Sequence, residues 1–164
     1  AKCSRRWRPS DRRPGGCREE GEVDIETFMQ GYRAAWEARD EHAFAALFTP
    51  DGEYHNTPFA VQRGPVELAA YWQRVKLQDD VRLSYEILAS SAGAGIAHWH
   101  VSYQVASEEL FAIWARSTGT NLVARRSGDP LPRMLLDGVL QAEFRDGRCS
   151  RCRLWWHSLP QPPG

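Results

Sequence analysis

The chain has 164 residues, enough for one domain that buries roughly two-thirds of its unfolded surface and too few for a second core of ordinary size. Its 21 Lys and Arg balance its 21 Asp and Glu, so the whole chain offers no field that would favour nucleic acid or an anionic membrane. No stretch approaches the roughly 18 apolar residues of a membrane span.

The charge balance conceals an asymmetry. Residues 1–21 carry seven basic against three acidic side chains, a net +4, which leaves −4 on the remaining 143 residues. This segment, AKCSRRWRPSDRRPGGCREEG, has one aromatic and no aliphatic residue beyond Ala1, too little apolar surface to offset the entropy of ordering it. It reads as a disordered arm, either a dispensable extension or a basic tether for an acidic partner. It also lacks the apolar stretch of a secretory signal, which makes the cytoplasm the expected compartment and reduced thiols the expected state of the four cysteines.

A domain is expected over 22–159, followed by a tail at 160–164. From Asp24, apolar residues recur at Ile25, Phe28, Met29, Tyr32, Ala35 and Trp36, the stripe of an amphipathic helix. Asp40 can cap a second, shorter helix with Phe44, Leu47 and Phe48 inward, ended by the Thr49-Pro50-Asp51-Gly52 break. A short strand around Tyr54 would point Tyr54 and Asn56 the same way, and Phe59 to Gln62 is extended. Gly64-Pro65 opens a third helix with Leu68, Ala69, Trp72 and Val75 along one side.

After Asp80 the period becomes two. Val81, Leu83, Tyr85, Ile87 and Ala89 alternate with polar residues; past Gly93 and Gly95 a second strand places Ala97, Trp99, Val101, Tyr103 and Val105 opposite His98, His100 and Gln104. The insert at 107–132 has no clear pattern. Met134, Leu136, Gly138, Leu140, Ala142 and Phe144 form a third alternating set, Asp146-Gly147 makes a hairpin turn, and Cys149 to Ser158 returns as the last strand. Helices first and strands afterwards imply an α+β domain, with helices packed on one face of a curved, mostly antiparallel sheet.

In FTPDGEYHNTP at 48–58, RGPVELAAYW at 63–72, HWHVSYQV at 98–105 and LDGVLQAEFRDGRCSRCRLWWH at 136–157, the chain resembles the nuclear transport factor 2-like superfamily, and within it the SnoaL-like (polyketide cyclase-like) family. The resemblance covers about residues 24–158 in the expected order. It implies a cone-shaped half-barrel wrapped around a long helix, a deep apolar pocket at the open end, and a homodimer formed through the outer face of the sheet. It also implies isomerase, dehydratase or cyclase chemistry beside a carbonyl, without metal or organic cofactor, on a small apolar or aromatic metabolite; other members are noncatalytic binders.

In the steroid isomerase branch a carboxylate follows the second helix, and Asn56 stands at that position, with Thr57 resembling an extra residue. An amide can orient a substrate oxygen but has no useful proton affinity near neutral pH. The second acid expected from the resemblance falls at Leu140, an apolar side chain, whereas Asp137 and Glu143 have the opposite parity and are expected to face solvent or a partner.

If the chain is catalytic, Tyr32, Tyr54 or a histidine would move the proton while Asn56 holds the oxygen. Trp36, Trp72, Trp99, Tyr103, Leu140 and Trp156 are expected to line the pocket. His98 and His100 share one strand face about 7 Å apart. An outward pair on the dimer surface, a pocket acid/base pair and a two-histidine metal site all remain open for them, with no metal expected. CSRC at 149–152 is expected to split its thiols between the two faces of a strand, with Cys152 a packed core thiol.

Overall fold

The computed structural model describes residues 23–117, 126 and 128–161. The arm at 1–21, residues 118–125 of the insert and residues 162–164 of the tail lie outside the described residues.

The first stripe becomes α1, Ile25–Ala38. Asp24 caps it by accepting a hydrogen bond from the Thr27 amide at 2.8 Å, and Arg39, in the left-handed conformation at φ 57°, ends it. All six stripe residues are buried. Asp40 caps α2, Glu41–Ala46, accepting from the amides of His42 and Ala43 at 2.9 Å each.

This second helix stops earlier than its apolar pattern suggests. The Leu47 carbonyl accepts from the Cys149 amide at 2.9 Å, drawing the chain into the sheet, so Phe48 opens β1, Phe48–Thr57. The Thr-Pro-Asp-Gly sequence expected as a break therefore lies inside a strand, at an irregularity between Phe48 and Glu53. A second irregularity, between Tyr54 and Thr57, sets two residues, His55 and Asn56, against one of β2 (Ala60–Arg63), Val61, and supplies the extra residue that Thr57 resembled.

Helix α3, Gly64–Trp72, has Pro65 in its first turn and runs into a 3-10 turn, Gln73–Leu77. Strands β3 (Gln78–Ser91) and β4 (Ala94–Val105) follow, then α4 (Glu108–Ser117), in the segment whose sequence has no clear pattern, then β5 (Arg133–Arg145) and β6 (Arg148–Gln161). The six strands form one curved, unclosed sheet in the order β2-β1-β6-β5-β4-β3. Every pairing is antiparallel except β1 with β6.

Helix α1 lies across the inner face. Its first residue, Ile25, sits against Gly95, and its Trp36 ring centroid lies 5.9 Å from that of Trp99. The strands alternate as period two demands: Ala97, Trp99, Val101 and Tyr103 of β4 are buried, as are Met134, Leu136, Leu140 and Ala142 of β5. Burying one large apolar side chain contributes on the order of 1.5–3 kcal/mol, so this face carries most of the fold's stability.

The CSRC segment departs from simple alternation. Arg151 pairs with Glu143 and Cys149 with Phe144, so Ser150 is an extra residue on β6. That bulge turns Cys149 inward with Cys152; both thiols are buried, and burial, with the hydrogen-bonding Cys149 thiol beside it, pushes the Cys152 thiol well above its ordinary 9.0. The expected split between faces is thus corrected, while Cys152 remains a packed core thiol.

Candidate functional site

Between α1, α3, α4 and the inner face of the sheet lies a cavity of about 240 Å³. Its walls are mainly aromatic: Trp36 from α1, Tyr71 and Trp72 from α3, Tyr54 from β1, Trp99 from β4 and Trp156 from β6. Leu110 and Ile113 of α4, with Val75 and Leu136, complete the apolar surface. Asn56, Thr57 and Gln78 supply the polar groups, and the exposed Ala60 and Arg74 mark the rim.

A hydrogen-bonded relay fixes one end of the cavity. The Tyr54 hydroxyl donates to Asn56 Oδ1 at 3.2 Å, and the Tyr32 hydroxyl lies 3.2 Å from that of Tyr54. Because Tyr54 has one proton and gives it to Asn56, Tyr32 is the donor between the two tyrosines. Trp156 Nε1 donates to the Asn56 carbonyl at 2.8 Å, holding the β1 backbone in place. On the opposite wall Trp36 Nε1 donates to Gln78 Oε1 at 2.7 Å.

Both amides consequently have their side-chain oxygens occupied from behind, which leaves each its NH2 group to offer. Trp99, 1% exposed, adds an indole N–H that is buried without a hydrogen-bond partner among the described residues. The cavity is therefore rich in donors. Arg74 packs over Tyr71, its guanidinium carbon 3.8 Å from the ring centroid and its Nε donating to the Tyr71 carbonyl at 2.9 Å.

The tyrosines are donors, not bases. Burial holds the Tyr32 hydroxyl well above its ordinary 10.0, with neighbouring Tyr54 adding to it. Burial does the same to Tyr54, with Tyr71 and Cys152 adding and the hydrogen bonds of Tyr32 and Trp72 only partly offsetting it. Tyr71 is raised by burial too, against the pull of Arg74. Among the described residues lining the cavity there is no Asp, Glu or His.

Of the residues singled out from sequence, Trp36, Tyr54, Asn56, Trp72, Trp99 and Trp156 line the cavity, and Tyr32 stands directly behind Tyr54. Leu140 does not line it. It pairs with Ala97, which lies between the Gly95 and Trp99 positions that α1 covers, so it sits beneath the helix, and Leu136 is the β5 residue at the cavity. Tyr103 is fully buried farther along β4 and is likewise outside the lining.

His98 and His100 lie on the outer face, because β4 alternates without a bulge against β5 and their neighbour Trp99 points inward. Asp137 and His157 share that face, and Glu143 is engaged by Arg151 and Arg153. His55 is held by Glu53 at 3.1 Å. Sequence reasoning missed Tyr71, Arg74, Gln78, Leu110 and Ile113. Tyr71 and Arg74 lie off the apolar stripe of α3, Gln78 is a buried polar residue opening a strand, and the last two come from the insert that had no legible period.

No curated protein matches the chain. Solved structures do. A candidate polyketide cyclase from Pseudomonas putida superposes with a TM-score of 0.58 at 18% identity, covering 79% of this chain and 88% of that one. A hexachlorocyclohexane dehydrochlorinase, type 2, gives 0.59 at 15%, covering 84% and 86%. A hypothetical protein of ketosteroid isomerase-like fold from Catenulispora acidiphila, solved with trimethylamine, gives 0.56 at 11%, covering 78% and 83%. Identities this low speak to the shared half-barrel and not to a shared reaction. The SnoaL-like domain matches residues 29–152, most of the chain, and the protein belongs to the SnoaL-like family.

Proposed function

We propose that the chain encloses a small, flat, apolar or aromatic metabolite bearing one or two hydrogen-bond acceptors, such as a carbonyl or carboxylate oxygen. The donor-rich wall carries this reading: Asn56 and Gln78 have their oxygens tied up by Tyr54 and Trp36, and the Trp99 N–H awaits an acceptor. A cavity of about 240 Å³ suits one or two rings, given that an apolar cavity of about 150 Å³ accommodates benzene. Trp36, Trp72, Trp99 and Trp156 supply flat faces for such rings.

Screening single- and double-ring carbonyl and carboxylate compounds by quenching of tryptophan fluorescence tests it. Trp99→Phe and Asn56→Leu should each weaken the best ligand about 3- to 10-fold, the equivalent of one neutral hydrogen bond of roughly 0.5–1.5 kcal/mol. If acceptor-free hydrocarbons bind equally well, and neither variant matters, the donors have no ligand role.

A second reading, cofactor-independent lyase or isomerase chemistry in the same cavity, is favoured by the same donors, since they would stabilise an enolate oxygen. Its proton would have to move through the substrate or a water, with the tyrosines protonated. Asn56→Asp puts a carboxylate where the steroid isomerase branch has one; a gain of α-proton exchange on a bound ketone would show that the geometry, and not the base, is present in the natural chain. A homodimer through the outer face, where Trp155 and Leu159 are exposed, belongs to the same reading.

A further inference from the structure

The outer face of the sheet carries a side-chain cluster that the cavity does not use. Strands β4 and β5 pair with His100 opposite Asp137 and His98 opposite Val139. Period two puts the histidines on one face, and the cross-strand pairing brings Asp137 to them. His98 Nε2 lies 3.2 Å from each Asp137 oxygen, and His100 Nδ1 lies 2.7 Å from Oδ2. The two rings meet edge to face with centroids 4.5 Å apart, and one ligand atom from each of the three residues falls within 4.8 Å of the others.

As ion pairs these contacts contribute little, because all three side chains are partly solvated. Their geometry is more informative than their charge. Each imidazole places a ring nitrogen within hydrogen-bond reach of the same carboxylate, which gathers three side chains of metal-ligating type at one point of the sheet. Ligands bound at about 2.0–2.1 Å and a tetrahedral angle sit roughly 3.3 Å apart. The His98 spacing is already close to that value, and His100 Nδ1, at 2.7 Å, would draw back by about half an ångström to complete the arrangement.

We infer that His98 Nε2, His100 Nδ1 and the Asp137 carboxylate bind a divalent transition cation of the Zn²⁺ class. Imidazole with carboxylate suits such an ion, whereas the larger oxygen-only shells of Ca²⁺ and Mg²⁺ would find two nitrogens here. Three protein ligands leave a fourth position for water or an anion. His100 and Asp137 also border an open groove of about 470 Å³ that His157 shares, which leaves the fourth position open to solvent.

The test uses the full chain, stripped of metal and titrated with Zn²⁺ by calorimetry, with Co²⁺ as an optical probe of ligand type. One equivalent should bind, with a cobalt spectrum free of thiolate charge-transfer bands. Asp137→Asn and His98→Ala should each weaken binding at least 10-fold, and the double variant His98→Ala/His100→Ala should abolish it. Cys3→Ser/Cys17→Ser should leave it unchanged. Because the three residues are partly exposed, the metal-free melting temperature should stay within a few degrees of the unsubstituted chain, and added Zn²⁺ should raise it only where the cluster is intact. Failure of the unsubstituted chain to bind, unchanged uptake in the double histidine variant, or loss of uptake on cysteine replacement would overturn the assignment. None of these readouts depends on the ligand of the inner cavity.

Discussion

Across the inner face of the sheet, Trp99, Gly138 and Trp156 form one cross-strand row; one residue farther along each strand, on the outer face, the row is His100, Asp137 and His157. The sequence writes the two rows as WH, DG and WH. Strand parity alone separates them, so a single set of backbone hydrogen bonds holds an aromatic wall on one side and a titratable cluster on the other. Whatever the chain binds, the inner row tolerates little change and the outer row much.

The largest expected effect lies above the inner face, at the end of α3. Trp72 is 2% exposed and stacks on Phe44 with ring centroids 3.6 Å apart and planes 3° from parallel. Trp72→Ala should cost about 3–5 kcal/mol of unfolding free energy in a denaturant titration, combining lost transfer energy with the cavity left behind. Within the row itself, a Cβ at Gly138 would lie 2.6 Å from both the Trp155 carbonyl oxygen and Trp156 Cβ, and 2.8 Å from Trp99 Cζ2. Two of those atoms cannot rotate away, so Gly138→Ala should cost about 1–3 kcal/mol and shift the tryptophan emission of the cavity wall. A neutral result would mean that the tryptophan row is looser than its spacing implies.

The inner row was legible from sequence because alternation of Trp99, Val101 and Tyr103 is undisturbed and the helix stripe ending at Trp36 is continuous. The cavity was less so. It is assembled by bulges in β1 and β6 that periodicity cannot register, and by α4, whose Leu110 and Ile113 complete a wall from inside an insert without a readable period. The alternation that Leu140 shares with Leu136 and Phe144 gives the right face but not how much of that face α1 covers. On the outer face, the pairing of His98 and His100 was readable from one strand; bringing Asp137 to them required the β4–β5 register, a long-range fact.

The two faces should also divide the pH limits of stability. Tyr32 and Tyr54 have folded values raised well above 10.0 by burial, so above that pH the unfolded chain loses protons that the folded chain retains. Their contribution is complete below pH 10 and is lost as pH rises beyond it. On β1, between β2 and β6, Glu53 is lowered from 4.5 to about 2 by hydrogen bonds from His55, Arg151 and Arg63, so its contribution is complete above pH 4.5 and disappears as pH falls toward 2. Melting temperatures across pH should show Tyr54→Phe softening only the alkaline fall and Glu53→Gln only the acid one. An alkaline fall left unchanged by Tyr54→Phe would mean that this hydroxyl ionises in the folded protein as readily as in the unfolded chain.

The smallest effect is expected at Asp137. It faces both histidines, yet its side chain is 58% exposed, and exposed ion pairs contribute roughly 0–1 kcal/mol because water screens them and long side chains lose freedom. Metal-free Asp137→Ala should therefore stay within about 0.5 kcal/mol of the unsubstituted chain, while Gly138→Ala, one residue away, does not. That contrast isolates strand face as the variable, since both substitutions share a backbone, a register and a strand pair. A loss of several kcal/mol at Asp137 would mean that the outer cluster helps hold β4 to β5. Parity would then no longer divide what the sheet needs to fold from what it is free to use.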